Sequence, residues 1–314
     1  MSALIFGLLA LLLIGPVPNA LSKAEWPKRA PRAALVLWQA VAIAAVLSAF
    51  SAGLAIASRL LVLGPDGRPT TAPLDEISVL GWPLWILYVL VFALTLLVGA
   101  RLIVAAVRVG FHTRRRRSHH RMVVDLLDHP MELRGRPASA SLRILDTMQP
   151  VAYCLPGIRH RIVLSEGTYS ALDDAEIQAV LAHERAHLRA RHDLVLEAFT
   201  AVYEAFPRVV RSKTALGSVR LLIEMLADDT ARRVAGTTPL ARALVACAGA
   251  HTPAGAMAVG GSDTLVRIQR LGLGGNNSRV ALCAYAGAAT LLVVPTVAVA
   301  LPWLTEISRL LRSP

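Results

Sequence analysis

Residues 180–194 read VLAHERAHLRARHDL. On a helix, His183 and His187 are one turn apart on a shared face, so both imidazoles can reach a single metal ion. Glu184 lies beside them, offset from the ligand face, where a carboxylate takes a proton from water at the metal. Zinc held by two His and one carboxylate keeps its fourth position open for water and polarises a scissile carbonyl. Glu184 then serves as general base and as proton donor to the leaving amine. Chance places this pattern in a chain of this length on the order of one time in a hundred. A third ligand and a compartment must therefore come from the rest of the sequence.

Two arrangements compete for the third ligand. A sharp turn after the helix would deliver Asp193, but such a turn calls for Gly three residues after His187, and Ala190 stands there, inside LRARHD. That run reads as a continuing helix. The alternative is a carboxylate from a later helix. Glu224, in IEMLADDTARR, lies among Leu221, Leu222, Ile223, Met225 and Leu226, where an unpaired carboxylate is costly. Asp228 follows it by one turn and can orient an imidazole through its free ring nitrogen. Glu224 is the expected ligand. Asp193 is expected to pair with a base such as Arg189, and His192, on a different helical face from His187, to contact a ligand or cap the helix. His112, His119, His120, His129 and His251 read as ordinary, whereas His160 draws notice in a turn between strands.

Composition decides the compartment. Mean hydropathy is +0.54, with 55% hydrophobic and 17% charged residues, well above the soluble average. Three membrane helices are expected at about 3–20, 33–63 and 83–109, with a fourth at 280–303. The first could pass for a signal peptide, but no Lys or Arg precedes it and VPNA lacks a small-x-small cleavage pattern. Lys23, Lys28, Arg29 and Arg32 between the first two spans mark that loop as cytoplasmic. Arg114–Arg117 after the third mark residues 111–279 as cytoplasmic too. Both termini, including the short tail 304–314, are then expected outside. The net charge of +12 is read as a lipid-headgroup anchor rather than a nucleic-acid surface, because no aromatic platform accompanies the Arg block. Cys154, Cys247 and Cys283 are odd in number and unclustered, which argues against a disulfide framework or a Cys-based metal site.

Within 111–279 the expected fold is mainly α with a small strand element. VAYCLPGIRHRIVLSEG reads as strands 151–155 and 161–164 joined by a Pro-Gly turn. Asp173 and Glu176 fit a capping box opening the active-site helix. Residues 194–206 and 213–234 read as further helices, and 265–277 as a juxtamembrane connector.

The pattern resembles the BlaR/MecR-type family of gluzincin membrane peptidases. Three spans precede the domain and one follows it. AYCLPG…IVLSEG stands before the helix, the helix itself reads VLAHERAHLRARHD, and ExxxD recurs as Glu224 to Asp228. The resemblance implies a multi-pass α-helical membrane protein with a cytoplasmic zincin-like metalloprotease domain. It implies one Zn2+ per chain on His183, His187 and Glu224, Glu184 as base, and Asp228 behind a ligand. It also implies an edge strand at Tyr153, Cys154 and Leu155 that an extended substrate could join. About a dozen residues follow Leu301, so a penicillin-binding sensor is not expected there.

The expected function is a regulatory zinc endopeptidase acting on a protein substrate such as a winged-helix repressor. One rival is processing or quality control of the HtpX or prenyl-protease kind, and another is a non-catalytic membrane adaptor with a structural metal site. Membrane lipids are expected partners, nucleic acid is not, and a homo-oligomer stays open.

Overall fold

The computed structural model describes residues 2–63, 69–70, 72–127, 141–207, 212–248, 257–258, 263–272 and 277–312. His129, His251 and residues 273–276 of the Gly-rich stretch lie outside them. The chain opens with α1 (Ser2–Ile14), α2 (Pro16–Lys23), α3 (Pro31–Ala57), β1 (Val62–Leu63), β2 (Pro69–Thr70), α4 (Pro73–Leu80) and α5 (Trp82–Leu126). There follow β3 (Leu142–Leu145), β4 (Ala152–Leu155), β5 (Arg161–Ser165), α6 (Glu166–Ala171), α7 (Asp174–Ala190), α8 (His192–Ala205), α9 (Ser212–Ala235) and α10 (Thr237–Ala246). The last elements are β6 (Met257–Ala258), α11 (Thr264–Gly272) and α12 (Ser278–Arg312).

Among the described residues, four helical stretches are long and apolar enough to cross a membrane: Ala3–Lys23, Pro31–Leu60, Trp82–Leu126 and Ser278–Val297. Their ends depart from the hydropathy reading. The first stretch breaks at Gly15, ahead of a Pro that opens α2. The second ends its α-helix at Ala57, and Val62–Leu63 pairs antiparallel with Pro69–Thr70 instead of extending the helix. The third runs on from 109 to Leu126 without a break, because the basic run holds no helix breaker and finds partners on the folded domain. Arg117 is buried and meets Asp193 at 3.0 Å and Glu197 at 2.8 Å. Asp125 receives Arg143 and Arg161, each at 2.9 Å. The Arg block is therefore divided: Arg114, Arg115 and Arg116 are exposed, whereas Arg117 ties α5 to α8.

The spans pack through small residues. A side chain at Gly53 would run into Thr95, and one at Gly99 into Phe50, so α3 and α5 approach closely at both points. The helical part of the domain is continuous with the spans rather than hung below them. Leu21, Leu35 and Trp38 share one buried core with Val180, Phe199, Val219 and Ile223. At its far end α8 hands the carbonyl of Ala205 to Arg101 Nε at 2.5 Å, deep in the apolar part of α5.

Strand order in the larger sheet is β3-β5-β4-β6. β3 runs parallel to β5, while β4 is antiparallel to both β5 and β6. Of the expected free edge at Tyr153, Cys154 and Leu155, this corrects the first two residues. Tyr153 pairs with Ala258 and Cys154 with Met257, so β4 is an interior strand flanked by β6. A two-residue strand a hundred residues away carries no local signal of alternation, which is why sequence pattern missed it. The Tyr153 hydroxyl, far from free, sits 2.8 Å from His120 Nε2.

Candidate metal centre

α7 starts where the capping residues place it. Asp173 Oδ1 accepts from the Glu176 amide at 2.8 Å, and Glu176 Oε2 accepts from the Asp173 amide at 3.0 Å. From there the helix carries His183, Glu184 and His187 into the interior, each fully buried. It stops at Ala190, because Arg191 takes a left-handed conformation with φ +52°. LRARHD is thus not one continuous helix: the chain turns without glycine, at a cost of roughly 1–2 kcal/mol for a side chain in that region. The turn sends Asp193 to Arg117 and not toward the two histidines.

The two Nε2 atoms of His183 and His187 lie 3.0 Å apart. Glu224, from α9, approaches them with Oε2 3.3 Å from His183 Nε2 and Oε1 3.5 Å from His187 Nε2. One ligand atom from each of the three residues falls within a 4.8 Å cluster. Bonds of ~2.0–2.2 Å around a tetrahedral zinc put its ligand atoms roughly 3.3 Å from one another, and the separations observed, taking the nearer Glu224 oxygen for each histidine, bracket that value. A donor set of two imidazoles and one carboxylate also suits zinc, so these residues fit the ion. The far ring nitrogens are held as well. His183 Nδ1 lies 3.0 Å from Asp228 Oδ1, and His187 Nδ1 lies 3.0 Å from His192 Nδ1.

Asp228 and Glu224 are held in turn by Arg267 of α11, itself 2% exposed. Its Nε and Nη2 donate to the two Asp228 oxygens at 2.8 and 2.6 Å, and its Nη1 is 3.2 Å from Glu224 Oε2. One turn on, Arg270 meets Asp229 at 2.8 Å and donates to the Lys28 carbonyl at 2.6 Å. Sequence reasoning missed both arginines, reading their helix as a connector to the last span. The signal available was an RxxR pair facing a DD pair of which Asp228 is buried, but neither partner reveals the other without the fold.

The electrostatics follow from burial. Desolvation works against a charged His183, but its contacts with Asp228 and Glu224 prevail and push its pKa up to about 9. His187 is driven well below the usual value by burial and by the positive charge of its neighbours, and His192 falls to about 4, chiefly by burial. For Asp228, the Arg267 and His183 contacts overcome burial and lower it to about 2. Glu184 is raised to about 7, first by its complete burial. Neither of its oxygens has a hydrogen-bond partner of standard geometry among the described residues. The Cys154 thiol, itself pushed well up by burial, is the polar group beside it. A buried carboxylate left without donors is expensive, and water next to a cation would satisfy it. His160 is exposed in the β4–β5 turn and His112 and His119 are exposed on α5. None of these three joins the cluster.

Residues 114–246 match the family model of peptidase family M48. No curated protein and no solved structure matches the chain. The matched segment runs from the Arg block through α10, so it contains the HExxH helix and Glu224, while α11 with Arg267 lies beyond it. It indicates a metalloprotease hydrolase of the zincin type, and the four apolar stretches indicate a membrane protein. M48 peptidases are typically zinc-dependent, in keeping with the His-His-Glu cluster.

Proposed function

We propose that this chain is a membrane-embedded zinc endopeptidase in which His183, His187 and Glu224 hold the metal and Glu184 moves the proton. The observation that carries the reading is the convergence of those three side chains beside an enclosed carboxylate with no other work in the fold. When held by His183, His187 and Glu224, zinc would supply Lewis acidity toward a peptide carbonyl and toward water. Glu184 accepts the proton of the attacking water as its oxygen bonds to the carbonyl carbon. As the C–N bond breaks, Glu184 passes that proton to the departing nitrogen, leaving an amine and a carboxylic acid that then ionises to the solvent. Asp228 fixes the tautomer and orientation of His183, His192 does the same for His187, and Arg267 keeps Asp228 and Glu224 in register.

The basic loop of 23–32 and the exposed Arg114, Arg115 and Arg116 support a cytoplasmic side for the domain of 111–279. The substrate is a cytoplasmic or membrane-proximal protein. The likeness of AYCLPG…IVLSEG and of the span arrangement to the BlaR/MecR type supports a transcriptional repressor in that role. While β6 lies along β4, an extended substrate cannot pair with Tyr153 and Cys154, so strand addition would require β6 to move aside. Glu184→Gln tests the reading: the purified variant in detergent should keep zinc yet lose cleavage of a casein-type substrate by at least about a hundredfold. Undiminished cleavage would take the proton-transfer role away from Glu184 and overturn this reading of the site.

A further inference from the structure

Where α8 runs beside the spans, the protein leaves a partly open apolar space. A cavity of about 250 Å³ is walled by Ile14, Trp38, Ala45, Phe50, Leu102 and Phe199 among other residues, every one of them apolar or aromatic. A groove of about 510 Å³ between α3 and α8 adjoins it, and Ala42, Val46, Phe199 and Val202 line both. The groove has an outer lip at Ile43 and Leu47, which are 50% and 44% exposed on the lipid-compatible second stretch. Gln39 is its polar lining residue, toward the start of α3.

We propose that the cavity and groove bind one acyl chain of a membrane phospholipid, which enters sideways between α3 and α8. Depth supports this occupant. α8 ends against Arg101, and large side chains of α5 on either side of that residue (Leu97, Ile103, Val104) stand exposed as lipid-facing residues do. Chemistry supports it too. A peptide entering so apolar a space would leave its amide groups without partners, whereas hydrocarbon loses nothing there. An apolar cavity of ~150 Å³ takes up benzene, so the larger space here accepts a longer stretch of methylenes. The lateral opening faces the phase in which phospholipid chains are the solvent. The bound chain lies against Phe199 and Trp38, which belong to the same core as Val180 of α7, so it completes the packing beneath the active-site helix. This site is independent of the peptidase reading.

The test uses Trp38, 1% exposed and a wall of the cavity. Trp26, Trp82, Trp85 and Trp303 are replaced by Phe, and the full chain is reconstituted in phosphatidylcholine vesicles brominated along the acyl chains. Bromine quenches indole at short range, so a chain inside the cavity should remove most of the Trp38 emission seen in unbrominated vesicles. Ala45→Phe, which fills the cavity, should restore it, with Ala42→Leu in the shared wall as the second variant if Ala45→Phe misfolds. Unchanged Trp38 emission in brominated vesicles overturns the proposal. So does equal quenching in the wild-type cavity and the filled one, because quenching would then come from bulk lipid.

Discussion

His183 keeps a proton in the folded site because Asp228 and Glu224 both face it, and that proton must leave before the nitrogen can bind a metal. With its pKa near 9, zinc affinity should rise by about tenfold per pH unit up to that value, with about one proton released per ion bound at pH 7. Calorimetry in buffers of different ionisation enthalpy measures this directly. The metal-free protein should behave oppositely. A folded pKa raised above the unfolded ~6.5 contributes stability that is full below 6.5 and lost as pH rises through 9. Arg267 carries a second prediction at this scale. Arg267→Ala leaves Asp228 buried without its fork, so unfolding in denaturant should show a loss of about 3–5 kcal/mol along with weaker zinc binding. A loss below 1 kcal/mol would show that the pair does not anchor the site. The grouping of His183, His187 and Glu224 was legible in sequence because helical spacing and an acid in an apolar run are local signals. Arg267 was not legible, because its meaning depends on a helix some forty residues away in the chain.

The α7–α8 junction shows where element-level reading fails. Ala190 lacks the freedom of glycine, so a continuing helix was the expectation, yet the chain turns one residue later at Arg191. Tertiary contacts pay for that conformation: Asp193 reaches Arg117, and His192 reaches His187. Capping residues, the β4–β5 hairpin and the helices around Glu224 were readable from pattern. The long reach of α5 was not, since four arginines read as a headgroup anchor until their partners are known. β6 was invisible because two residues of strand leave no period. Asp193→Ala, by this account, should lower thermal stability by loosening α8 from α5. The loss is limited because Glu197 still meets Arg117 at 2.8 Å, and the metal ligands stay in place.

Across the whole molecule, the domain and the spans form one hydrophobic unit. Leu21, Ala34, Leu35 and Trp38 complete the core that Val180, Leu216 and Ile223 begin. A fragment of 111–279 made without the spans would expose that face, so it should be insoluble or show molten-globule dye binding rather than cooperative unfolding. A soluble, cooperatively unfolding, zinc-binding fragment would show that the spans only anchor it. Hydropathy found the four membrane-compatible stretches but could not show that the second of them is also a wall of the enzyme. The most direct test of the central claim is zinc analysis of the purified full-length protein beside Glu224→Ala and Asp193→Ala. The account predicts about one zinc per chain in the wild type, loss of the metal in Glu224→Ala and retention in Asp193→Ala. Zinc kept by Glu224→Ala and lost by Asp193→Ala would contradict it.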